Sequence, residues 1–107
     1  MPGATRQQRT PPPPTLAGAR VVLYAFLDER QQSMGYGRLA KGGGAPVQPV
    51  RMAITRYPGE RSVYLLYCDE GWSVLAECWH PRLEDAQGQA EREYAGLRST
   101  WEEPQER

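Results

Sequence analysis

One histidine (His80), one lysine (Lys41), one phenylalanine and two cysteines are all that the 107 residues hold of those types. Structural zinc takes four Cys or His ligands at close spacings, and no Cys-x-x-Cys or His-x-x-x-His pair is present. His80 falls where a helix would start, a capping or surface place without the orienting partner that a catalytic base needs. No apolar run approaches the ~20 residues that cross a bilayer, and the longest, from Val21 to Leu27, has seven. Met1 to Arg6 is not followed by the apolar core of a signal peptide. Two cysteines without an export signal point to reduced thiols and a cytoplasmic setting. Net charge is absent too, since 13 basic residues cancel 13 acidic ones.

Turn formers and aromatics fill the space. The chain has 11 Gly and 10 Pro, with 39% apolar residues, enough for a single core. Residues 1–19 carry five prolines and one large aliphatic, Leu16, so they read as a disordered Pro-rich tail. The run from Pro11 to Pro14 favours polyproline II, a spacer or a groove ligand. Val21 to Leu27 is apolar on both alternating faces and β-rich, which favours a central strand over a helix. Gly35, Gly37 and Gly42 to Gly44 make a connector that lacks the Gly-Lys-Ser/Thr ending of a phosphate loop.

Val50, Met52 and Ile54 alternate with polar or small neighbours, a half-buried strand whose Pro49 at the start suits either a sheet edge or a strand entrance. Tyr57-Pro58-Gly59-Glu60 is a turn. Val63 to Cys68 is a second two-faced strand, and Asp69-Glu70-Gly71 returns it, with Gly71 supplying a positive φ. In the strand from Trp72 to Trp79, alternation puts Trp72, Val74, Ala76 and Cys78 on the core face. Ser73, Leu75, Glu77 and Trp79 take the other. Pro81 suits the first helical position, and Leu83, Ala86, Ala90, Tyr94 and Leu97 form one helical stripe ending at Gly96. Trp101 folds back onto the sheet or helix before a charged tail, 102–107. The expected fold is α+β: three to four antiparallel strands packed on one C-terminal helix, with residues 20–101 as the domain.

One helix covers one sheet face, and ten aromatics exceed what that face absorbs. Tyr67, Leu75 and Trp79 would mark the uncovered face. Large exposed apolar patches mark contacts, and Trp, Tyr and Arg dominate interface energies. Charge divides along the chain, +6 up to Tyr57 and −6 after it. Glu84 and Glu91 on the helix would meet a basic partner, while Arg51, Arg56 and Arg61 could contact nucleic acid. Cys68 and Cys78 read as buried thiols rather than ligands or a nucleophile. No cofactor or metal site is expected. The leading reading is a non-enzymatic protein-binding module or homodimer, with nucleic-acid binding as the alternative.

The stretch Tyr64-Leu65-Leu66-Tyr67-Cys68-Asp69, then Trp72, Trp79-His80 and Leu83-Glu84-Asp85-Ala86-x-x-Gln89-Ala90-Glu91, resembles a group of small bacterial proteins without an assigned activity. Their compact habit is similar to that of toxin-immunity proteins, which implies a charged and aromatic blocking surface. The strand-strand-strand-helix order also resembles the AP2/integrase-type DNA-binding domain, whose sheet reads the major groove with arginines and tryptophans. Here Tyr64, Leu65, Leu66 and Tyr67 stand where that family carries alternating arginines.

Overall fold

The computed structural model describes residues 10–27, 32–33, 39–40, 46–47 and 49–105. In chain order these form β1 (Thr15–Leu16), β2 (Ala19–Phe26), β3 (Gln32–Ser33), β4 (Leu39–Ala40), β5 (Pro46–Val47), β6 (Arg51–Arg56), β7 (Val63–Cys68) and β8 (Val74–His80). Helix α1 (Leu83–Glu93), β9 (Tyr94–Ala95) and a 3-10 turn (Arg98–Thr100) follow. Five strands make one curled antiparallel sheet, ordered β1-β2-β6-β7-β8. β3 pairs with β9 and β4 with β5. The α+β class, the antiparallel sheet and one α-helix among the described residues agree with the sequence reading, while the main sheet has five strands against an expected three to four. The glycines of the connector lie outside the described residues.

Each face of the sheet carries its own apolar cluster. On one side α1 sets Ala86 and Ala90 against Ala25, Met52, Ile54, Val63, Leu65 and Tyr67. Alanine at both helix positions lets the helix backbone lie close to the strands. Tyr94 and Leu97 complete this layer although the helix has already ended at Glu93, and Gly96 takes the expected positive φ of 96°. Trp101 packs here as well. On the opposite side, Val21, Tyr24, Phe26, Ala53, Leu66 and Cys68 are closed over by Leu16 and Trp72.

That second cluster corrects several expectations. β6 is the central strand and buried on both faces rather than half-buried, with Ala53 and Thr55 on the second face and Met52 and Ile54 on the first. Of the two readings of Pro49, the strand entrance fits and the edge does not. The presumed tail is structural from Thr10 onward: Leu16 is buried, and the Val21 amide donates to the Pro14 carbonyl at 2.9 Å. Glu102, placed in the charged tail, exchanges backbone hydrogen bonds with Tyr24 at 2.8 and 3.0 Å. Pro81 lies one residue before the helix N-cap, Arg82.

The β7–β8 turn departs most from its reading. Asp69 accepts from the amides of Gly71 and Ser73 through one carboxylate oxygen, at 2.9 and 2.8 Å, which fixes the turn. The positive φ falls on Trp72, at 67°, and not on Gly71. A bulky residue in that region is strained. The compensation is visible: the indole sits edge-on to Tyr24 and Phe26, with centroids 5.9 Å from each, and donates to the Thr10 carbonyl. The register also shifts between Tyr67 and Cys68, so Cys68 pairs with Val74 and Leu75 is the extra residue. Ala76 and Cys78 keep the helix face, whereas Trp72 and Val74 belong to the other cluster.

Candidate functional site

The two edges of the sheet are not alike. Alongside β2, the outer side is occupied by Pro14, β1 and Glu102. β8, seven residues long, pairs only with β7 and has no further strand among the described residues. Its second face carries Glu77 and Trp79, both exposed, with Trp79 directly across from Tyr64. Tyr64 meets Tyr57 edge to face at 5.8 Å, and the Tyr57 hydroxyl donates to the Ala17 carbonyl at 2.9 Å. Tyr57, Tyr64 and Trp79 thus form an aromatic strip across three consecutive chain segments. Trp79 is 55% exposed and Tyr57 37%, the two exposed large apolar side chains of the described residues.

Among the partner-binding residues read from the sequence, only Trp79 lies squarely on this strip. Leu75 is half-buried at the bulge. Tyr67 belongs to the helix-side core, 5% exposed, because the β7 alternation sends it opposite to Tyr64. Its hydroxyl donates to Glu93 and accepts from Gln89 Nε2 at 2.8 Å, while Gln89 also donates to Glu93 at 3.1 Å. Burial, reinforced by the Glu93 carboxylate, pushes the Tyr67 hydroxyl far above its ordinary value. Glu91 faces its own chain: its two carboxylate oxygens accept from the amides of Gly96 and Arg98 at 2.9 and 2.6 Å. Those backbone donors, that of Gly96 foremost, lower its pKa. Glu84 is exposed in the first turn of α1.

The three arginines of the alternative reading do not form one surface. Arg51 lies over the Phe26 and Trp72 rings, 5.0 and 5.9 Å from their centroids, a cation–π contact at one end of β6. Arg56 is at the other end. There it shares an open cavity of about 710 Å³ with Arg61 and with Arg82, which the sequence reading had not singled out. Glu60 and Glu84 stand in the same cavity wall. Cys68 and Cys78 are free thiols on opposite faces of the sheet, so they cannot share a ligand. Burial, then the nearby Asp69, raises the Cys68 thiol to about 12.

No protein-family model, curated protein or solved structure matches the chain. Among the described residues no helix is long and apolar enough to cross a membrane.

Proposed function

We propose that the chain is a non-enzymatic protein-binding module whose contact surface is the open edge of β8 with its aromatic strip, and whose first partner is a second copy of itself. The observation that carries this reading is Trp79, more than half exposed on the strand that ends the sheet. An unpaired edge presents a row of backbone donors and acceptors that another strand can satisfy. Native edges are blunted with Pro, Lys or inward charges; β8 has no Pro or Lys and a single outward carboxylate, Glu77.

The choice of a second copy follows from the other edge. Residues around Pro14 and Glu102 occupy the outer side of β2, so among the described residues β8 is the one long strand of the five-stranded sheet with an open edge. Edge pairing is then β8 on β8, an isologous contact that closes at the dimer instead of running on as a fibre. The aromatic strips of the two copies flank the junction. A nucleic-acid surface has less support, because Arg51 is committed to the Phe26–Trp72 cluster at the far end of β6.

Sedimentation velocity over about a hundredfold range of concentration tests the proposal, since mass action makes dimerisation concentration-dependent. The wild-type chain is expected to move from monomer to dimer without larger species, and Trp79→Ser to remain monomeric. A wild-type monomer throughout, or a Trp79→Ser dimer of equal strength, overturns it.

A further inference from the structure

The cavity at the Arg56 end of β6 shares no lining residue with the aromatic strip and has a chemistry of its own. Three arginines line it from three segments: Arg56 closes β6, Arg61 precedes β7, and Arg82 is the N-cap of α1. Their convergence is a product of folding, as the turn at 57–62 and the β8–α1 junction meet at the same end of the sheet. Arg56 Nε is shielded from solvent and has no hydrogen-bond partner among the described residues. A shielded donor without an acceptor is unfavourable unless something brings one. Among the described residues Arg82 makes a single loose pair, with Asp85 at 3.8 Å and both side chains well exposed, which leaves its guanidinium largely uncommitted there.

The backbone adds to this. Arg82 provides no side-chain cap, so the amides of Leu83 and Glu84 at the helix start have no acceptor within the described chain. Leu83 and Glu84 line the cavity, where the positive end of the helix dipole reinforces the arginines. The geometry points to a binding site for a phosphate monoester, held by Arg56, Arg61 and Arg82. Guanidinium forks match phosphate oxygens bidentately, and the three terminal oxygens and near-double charge of a monoester suit three arginines better than a halide or a single carboxylate does. Glu60 and Glu84 in the same wall would repel a continuous phosphate backbone, so the site suits one phosphate on a small, hydroxyl-bearing molecule. Ser62 holds Glu60 by donating to it at 3.2 Å. The carboxylates then accept from ligand hydroxyls. A volume of about 710 Å³ is well within the range of small-molecule sites.

The test is an NMR titration of the full chain with ribose 5-phosphate as the probe and ribose as the neutral control. The backbone amides of Leu83 and Glu84 and the side-chain Nε–H of Arg56 are the reporters. Saturable shifts at all three are expected with ribose 5-phosphate, complete by about 10 mM, the range of a weak single-phosphate site. Ribose is expected to leave them in place. Arg61→Gln, a change at an exposed position, should weaken binding about tenfold through loss of one charge-assisted contact. Arg56→Gln should weaken it further. The proposal is overturned if no saturable shift appears, if ribose acts equally, or if Arg61→Gln binds like the wild type.

Discussion

The Trp72 indole donates its N–H to the Thr10 carbonyl at 2.9 Å, joining two residues 62 positions apart. This bond ties the β7–β8 turn to the segment that precedes β1, and it closes the second apolar layer. Trp72→Phe keeps an aromatic ring in the cluster but removes the donor and strands the carbonyl. The expected cost is about 1–3 kcal/mol, from the lost bond and the smaller ring together. Trp101 offers the contrast, because its Nε1 is buried without a partner among the described residues. Trp101→Phe removes an unsatisfied donor, so its cost should be the smaller of the two. Urea denaturation of both variants gives the comparison, and equal losses would deny the Thr10 contact its role.

Gly88 stands inside α1 without a structural need for glycine. Its φ is not positive, and a Cβ there would meet only the flexible end of Arg92, at 3.7 Å. Glycine in a helix interior costs about 1 kcal/mol relative to alanine. Gly88→Ala should therefore stabilise the domain by about that amount, seen as a higher denaturation midpoint with an unchanged m-value. A loss of stability would mean that the helix packs differently around this position.

How far the fold could be read in advance depends on which residues carried local signals. The two-faced runs of β2 and β7 and the stripe of Leu83, Ala86 and Ala90 are periodic patterns, and they led directly to strands and helix. β6 misled because Ala53 and Thr55 look like a solvent face. They are small residues that fit beneath a second layer, and small size does not distinguish burial from exposure. The bulge at Leu75 was illegible for a different reason. One inserted residue reverses the facing of everything before it, and nothing in the alternation of 72–79 marks the place. Trp79 kept its side because it lies beyond the shift. Arg82 joins Arg56 and Arg61 only through the meeting of three segments at one sheet end, a tertiary fact with no local signature. Leu16, the lone aliphatic of a proline-rich segment, was the one hint that the segment packs.

Alkaline pH should unfold this protein early. Cys68 is raised from 9.0 to about 12 and Tyr94 from 10.0 to about 12, both chiefly by burial, while Tyr24 and Tyr67 are raised by burial and by neighbouring carboxylates. For each group the native state holds its proton at a pH where the unfolded chain has released it. Stability is then full below the unfolded values and declines as pH rises past them. The urea midpoint should be level up to about pH 9, the onset set by Cys68, and fall steadily towards pH 12. Cys68→Ala lowers the baseline through its cavity but delays the onset to about pH 10, where the tyrosines begin. An onset that does not move would assign the decline to other groups.

Glu77 is the one outward charge on the exposed face of β8, next to Trp79 on the strand that ends the sheet. A charge at such a place weakens edge pairing, because a second strand must bring its own Glu77 close or shift its register to avoid it. Glu77→Val removes that restraint and adds a β-branched residue to the aromatic strip. Self-association should tighten about tenfold, within the range that cross-strand pairs and relieved like-charge contacts supply. Fold stability at low concentration should change little, since both side chains stand on the solvent side of the sheet. Glu77→Lys places a charge of the other sign there, so two copies still repel and the variant should dimerise no more tightly than the wild type. Mixing Glu77→Lys with the wild-type chain then brings opposite charges together across the edge. A mixed dimer tighter than either homodimer, detected by sedimentation of one labelled chain, is the expected result. Its absence, with Glu77→Val also unchanged, would place any self-contact away from β8.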